Sequence, residues 1–275
     1  MLQSDIDTMN LDVFLPMLSA VDQDEHRSTI PSLNCDQEEF FWVFRNIDFK
    51  RWSTANYSQV LWLSGPPERN IHQVSSYIVD QEKSEVLKTQ NFALYFFCST
   101  AIIEKSILVV FVHTLLHQIV SCPPIERGIL IVRGFLHFLL EGIFKKEAAP
   151  NWEQQDFKKK DSLDTNIKKI LDAPAHELWA ALEFVLGDEQ QRQLSVVVDG
   201  LDKIKHQKSE FIREVRTFIE HLQKSTLKVK ALLTSQPQTE IKELLDGLLC
   251  IECDKERKGL GCTLCLNSNQ TYSNE

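Results

Sequence analysis

Four short runs of leucine, β-branched and aromatic residues punctuate the chain: Val60–Ser64 (VLWLS), Ala93–Cys98 (ALYFFC), Leu194–Val198 (LSVVV) and Val229–Thr234 (VKALLT). Near-continuous apolar runs of this length have the character of strands buried on both faces. Between them apolar residues recur at helical spacing: Val74, Ile78 and Val79; Ile107, Val110, Phe111, Leu115 and Ile119; Leu178, Leu182 and Val185; Phe211, Val215, Phe218 and Leu222. A fifth run, Leu248–Glu252, follows a helix-like segment, Glu240–Leu245, that Gly247 closes. Strands alternating with helices predict an α/β fold of three layers, a mainly parallel sheet of about five strands covered on both faces.

Outside these elements the pattern weakens. Residues 1–35 are polar and acidic apart from an apolar patch at Leu11–Leu18, and predict a partly helical lead-in. The stretch from Ala148 to Asn166 holds a proline and many charges, which predicts a surface loop. Residues 36–254 form the expected domain, and 255–275 a polar, disordered tail too short for a core of its own. The two most apolar stretches, Ile107–Val120 and Gly128–Phe144, are broken by His113, His117, Arg133, His137 and Glu141, so no membrane span is predicted. The acidic start has no basic region of the kind a secretory signal carries, and a cytoplasmic location is expected.

Composition narrows the partners. With 30 Lys+Arg against 39 Asp+Glu the 275-residue chain carries a formal charge of −9. Its one dense basic run is Lys158–Lys160, most simply a solvated loop, so neither general nucleic-acid binding nor binding to an anionic membrane is expected.

Candidate chemistry begins where the first strand runs into Gly65-Pro66-Pro67-Glu68-Arg69-Asn70-Ile71-His72. A phosphate-binding loop occupies such a strand-to-helix turn: glycines let backbone N–H groups wrap phosphates, a lysine reaches the outer phosphates, and the next Ser/Thr hydroxyl holds Mg²⁺. Read alone, Gly-Pro-Pro is equally ordinary turn chemistry. Downstream, Val196–Val198 leads into Asp199-Gly200-Leu201-Asp202, an apolar strand ending in an acidic pair suited to Mg²⁺ held through water, or to capping a helix. The next strand ends in Thr234-Ser235-Gln236-Pro237, where Ser235 and Gln236 are placed to sense a γ-phosphate.

Together these pieces resemble the NACHT-type P-loop domain of STAND NTPases, in the nephrocystin-like N-terminal form of fungal heterokaryon-incompatibility-type receptors. The match rests on Phe41-Trp42 with Phe49–Trp52, Leu61–Pro67, Tyr95–Ser99, Glu177–Leu182, Val198–Asp202, Leu232–Pro237 and Ile251–Arg257, in the family's order, over about residues 16–258. The resemblance implies a P-loop NTPase-like fold, ATP or GTP with Mg²⁺ as ligand, and coupling of nucleotide state to self-association or protein partners. It also implies that this chain corresponds to the first part of a longer architecture. The family's loop reads GPPGxGKS. Here Glu68 and Asn70 replace glycines, Ile71 the lysine and His72 the hydroxyl residue; Lys203 stands for a second acid and Gln236 for an arginine, while Asp199 and Asp202 are kept. Charge-assisted hydrogen bonds contribute roughly 1.5–3 kcal/mol each, so the losses are expected to weaken Mg-nucleotide binding by about 3 kcal/mol, on the order of 100-fold. Two readings follow: a degenerate, non-hydrolysing signalling or scaffold module, or a nucleotide-binding P-loop NTPase with an unorthodox loop.

Two further constellations are weaker. His113 and His117 have the i, i+4 spacing of a zinc pair but sit on an apolar face, which favours partly buried core histidines. Cys250-x-x-Cys253 and Cys262-x-x-Cys265 form a double pair of the zinc-site kind. The spacer between the pairs is short, and Cys250 and Cys253 fall on a strand whose period of two puts them on opposite faces. Scattered Cys35, Cys98 and Cys122 suit a reducing compartment.

Overall fold

The computed structural model describes residues 14–18, 21–31, 41–89, 91–99, 106–122, 129–139, 167–168, 171–187, 193–225, 227–253 and 263–264. A 3-10 turn at Leu15–Met17 precedes the short helix α1 (Gln23–Ser28), which Asp22 caps by accepting a hydrogen bond from the Glu25 amide at 2.9 Å. Helices α2 (Phe41–Arg45) and α3 (Ile47–Thr54) lead into β1 (Gln59–Ser64). Then come α4 (Ile71–Thr89), β2 (Phe92–Phe97), α5 (Ile107–Ser121), α6 (129–139) and α7 (Ala175–Gly187). The chain continues through β3 (Gln193–Asp199), α8 (Lys208–Lys224), β4 (Lys228–Ser235), α9 (Thr239–Leu244) and β5 (Leu249–Glu252).

The sheet runs β2-β3-β4-β1-β5, all parallel, as the five apolar runs predict. At Thr263–Leu264, β6 adds antiparallel to β5 as a sixth strand. Because β1 lies between β4 and β5, its carboxyl end meets that of β4, with Ser64 level with Ser235. Backbone bonds continue past the strand ends: the Gly65 amide reaches the Ser235 carbonyl at 3.1 Å, and the Cys253 amide the Ser64 carbonyl at 2.8 Å.

Strand alternation sorts the apolar residues into two cores. On one face Trp62, Phe96, Val198 and Leu233 pack against α5 to α8; on the other Leu61, Leu63, Phe97 and Leu232 pack against Ile71, Val74 and Ile78 of α4 and Phe49 and Trp52 of α3. Helix α8 buries Phe211, Ile212, Val215, Phe218, Ile219 and Leu222 as one stripe. Helix α5 is apolar nearly all round, since it lies between the sheet and other helices. The lead-in joins this core, with Phe14 wholly buried and Leu18 nearly so. Helix α6 covers most of the apolar stretch beginning at Gly128, and among the described residues no helix is long and apolar enough to cross a membrane. The expected loop from Ala148 to Asn166 lies outside the described residues.

Candidate functional site

The carboxyl ends of β1, β3 and β4 bring the sequence-selected residues together. After β1 the chain makes a 3-10 turn at Pro67–Arg69, passes through Asn70 in the left-handed region (φ 49°), and enters α4 at Ile71. Asparagine tolerates that conformation better than most residues. The Arg69 amide bonds to the Pro66 carbonyl and the Asn70 amide to the Pro67 carbonyl, both at 3.0 Å, while Pro66 and Pro67 carry no N–H. Gly65 is needed for space: a Cβ there would lie 2.7 Å from Ile71 Cδ1 and 2.9 Å from Cys253 Cβ. Ile71 is therefore a core residue, 6% exposed, whereas Glu68 is on the surface.

Asp199 ends β3, 1% exposed. Its Oδ2 lies 2.5 Å from His72 Nδ1, and its Oδ1 accepts from Thr234 Oγ1 at 2.7 Å. Thr234 Oγ1 in turn accepts from the Gly200 amide at 3.0 Å. Gly200 turns the chain at φ 77°, which favours glycine. Asp202 accepts the Gln236 amide at 2.8 Å and so ties the β3 and β4 loops together. Burial alone would push the Asp199 carboxyl up; hydrogen bonds from His72, Ser75 and Thr234 and the charge of His72 outweigh it and hold the group below its ordinary value.

That depression has a sign. A carboxyl with a lowered folded-state pKa contributes stability above its unfolded value, near 3.9, and this is lost as pH falls through the folded value. The melting temperature of the wild type is therefore expected to fall more steeply than that of Asp199→Asn below about pH 4. Parallel acid limbs in thermal melts would refute it.

Two further groups complete the mouth, His26, which no sequence motif singles out, and Lys203. His26, from α1, lies tilted against Phe97, with ring centroids 6.1 Å apart and 42° between planes; burial holds its pKa below the ordinary value, and Lys203 and His72 add to the effect against the opposing pull of Asp199. Lys203 packs beside Gly200. Of the expected sensors, Ser235 accepts the Trp62 indole N–H at 3.0 Å within the core, while Gln236 contributes its backbone amide. Thr234, one residue earlier and on the opposite face, meets the carboxylate instead. Alternation along β4 separates the two residues; which one faces Asp199 depends on how β3 and β4 sit side by side.

The other expectations divide. His113 is buried, as expected, but His117 is exposed, on the solvent side of a helix that still buries Leu116, Ile119 and Val120 around it. Cys250 and Cys253 pack into opposite cores, so the period-two argument holds for that pair; Cys262 and Cys265 lie outside the described residues. Among the described residues no cluster of three His, Cys, Asp or Glu is arranged to hold a metal. Burial, with Asp199 nearby, pushes the Cys98 thiol well up, which keeps it protonated.

A parallel, helix-covered sheet whose first strand turns through Gly65 into a helix beside an acidic strand end defines a P-loop-like three-layer α/β domain. Within that class, residues 40–236 match the family described as nephrocystin 3, N-terminal, and the chain belongs to it. No curated protein matches the sequence.

Proposed function

We propose that this domain is a NACHT-type module that no longer hydrolyses nucleotide and works, in the cytoplasm, as a signalling or scaffold unit through protein partners or self-association. The observation that carries the reading is the engagement of Asp199: both carboxylate oxygens are bound within the protein, by His72 and by Thr234.

Mg-nucleotide fits these residues poorly. Mg²⁺ takes oxygen ligands, and an imidazole stands where the family has a hydroxyl. Ile71, at the position of the phosphate lysine, is committed to the core above Gly65. The Arg69 and Asn70 amides close the 3-10 turn instead of facing outward to an anion, and the exposed carboxylate of Glu68 adds repulsion. With Ile71 in place of the lysine that stabilises phosphoryl transfer, the reading is of a binding module and not an enzyme.

Calorimetric titration with ATP and GTP, with and without Mg²⁺, tests this. The wild type is expected to show no saturable binding up to about millimolar nucleotide, and an Ile71→Lys, His72→Ser double variant to gain on the order of 100-fold in affinity. Micromolar binding by the wild type, with little gain in the double variant, would replace this reading with that of an NTPase using an unorthodox loop.

A further inference from the structure

The outer edge of the sheet is closed unevenly. Successive strand residues turn their backbone groups to alternate sides, so Ala93, Tyr95 and Phe97 present theirs away from β3. At Tyr95 the gap is filled: Gln118 of α5 accepts the Tyr95 amide at 2.9 Å and donates to the Tyr95 carbonyl at 2.7 Å. At Phe97 the amide donates to Gln23 Oε1 at 2.6 Å. A side-chain carboxamide thus does at Tyr95 what the peptide of a neighbouring strand would do, which is one way of blunting an exposed edge.

Ala93 is treated differently. Among the described residues no side-chain amide takes the place there that Gln118 takes at Tyr95. Ala93 instead forms part of the wall of a cavity of about 680 Å³ between α4, α5 and the N-terminal segment. The apolar side of this cavity is Leu15, Leu18 and Val21. Its charged side is already satisfied: Lys83 Nζ donates to both oxygens of Asp24 at 2.9 and 3.1 Å, and the Tyr95 hydroxyl to Asp24 at 2.8 Å. Burial, with Asp24 beside it, pushes the Tyr95 phenol far up, so the hydroxyl remains a donor. A paired lysine and carboxylate ask for no counter-ion, whereas an edge peptide offers a donor and an acceptor that an incoming amide can pair with.

We propose that this cavity docks an uncharged, extended peptide segment, whose backbone amide pairs with Ala93 as Gln118 pairs with Tyr95 and whose apolar side chain packs against Leu15, Leu18 and Val21. Strand addition at an open edge, with a pocket reading the side chain, is a general mode of peptide recognition. The site lies on the β2 edge, away from the β1 turn, and its readout involves no nucleotide.

The probe is N-acetyl-leucine N-methylamide, titrated into the full chain while backbone amide resonances are followed by NMR. The Ala93 amide is expected to move saturably, with a dissociation constant on the order of millimolar for a single residue. N-acetyl-leucine, an anion, and free leucine, a zwitterion, are expected to bind at least about tenfold more weakly. Ser84→Trp, at an exposed position of α4 on the cavity wall, is expected to abolish the shift while the protein melts at the wild-type temperature. The wild-type titration stands by itself should that variant fail to fold. An Ala93 resonance that does not respond, a shift that survives in folded Ser84→Trp, or equal binding of the charged probes would overturn the proposal.

Discussion

Phe111→Ala is expected to lower unfolding stability by about 3–5 kcal/mol, the range for removing a large aromatic side chain from a packed core. Phe111 is wholly buried and sits at the centre of the aromatic group beneath the sheet. Its ring stacks on Trp179 with centroids 5.0 Å apart and 7° between planes, and meets Phe96 and Phe211 edge-on at 5.2 and 5.3 Å. Deleting it removes the transfer free energy of the ring and leaves a void walled by rings. Trp179 is also held by its indole N–H on the Leu108 carbonyl at 3.2 Å, which limits how far the void can close. Aromatic pairs add roughly 0.5–1.5 kcal/mol each beyond area burial, and three are lost at once. Denaturant titration at constant slope would measure the change. Phe184→Ala, at a ring 58% exposed, is the control and should cost less than about 1 kcal/mol. Equal losses in the two variants would show that the aromatic group does not organise the core.

Asp199→Ala carries the second large effect, expected at about 3 kcal/mol, the lower end for breaking a buried pair. The variant leaves Thr234 Oγ1 without its acceptor in a fully buried position, and leaves His72 facing the space the carboxylate filled. The lower end applies because the His72 side chain is 35% exposed and regains water. A hydrogen bond to a charged group contributes roughly 1.5–3 kcal/mol. On the proposed function this loss is purely structural. The variant should therefore melt lower by the same amount with or without Mg-ATP. A wild-type melting temperature that rises with Mg-ATP, and a variant that does not respond, would contradict the non-nucleotide reading through mass-action linkage.

The fold and the site were legible in the sequence to different depths. Runs such as Leu194–Val198 and stripes such as that of Phe211 to Leu222 identify their own elements, because burial on two faces or on one leaves a local periodic signature. The turn after β1 was equally readable, and so was the divergence of Cys250 and Cys253, since both follow from local chain geometry. His117 was not: helical spacing groups it with His113, but which side of the nearly all-apolar α5 meets solvent depends on the elements packed around it. The two-residue pairing at Thr263–Leu264 had no local signal either, being set by an edge that β5 supplies from elsewhere.

At the site the same division holds. Gly65, Ile71, His72, Asp199 and Asp202 announce themselves by position in a motif, and from the sequence His72 reads only as a hydroxyl lost. Its role as the partner of Asp199, 127 positions away, exists only once β1 and β3 lie in one sheet with β4 between them. Thr234 faces Asp199 and Ser235 faces Trp62 for the same reason. The α/β class, the parallel sheet and the residues at its carboxyl ends can be read from the amino-acid order alone, because each is written in near-neighbour pattern and burial. It took the assembled sheet to show that those residues bind one another, that Ile71 belongs to the core, and that among the described residues a side-chain amide closes the β2 edge at Tyr95 and none does at Ala93. Those contacts are pairings between distant segments, and the geometry that selects them arises when the sheet assembles.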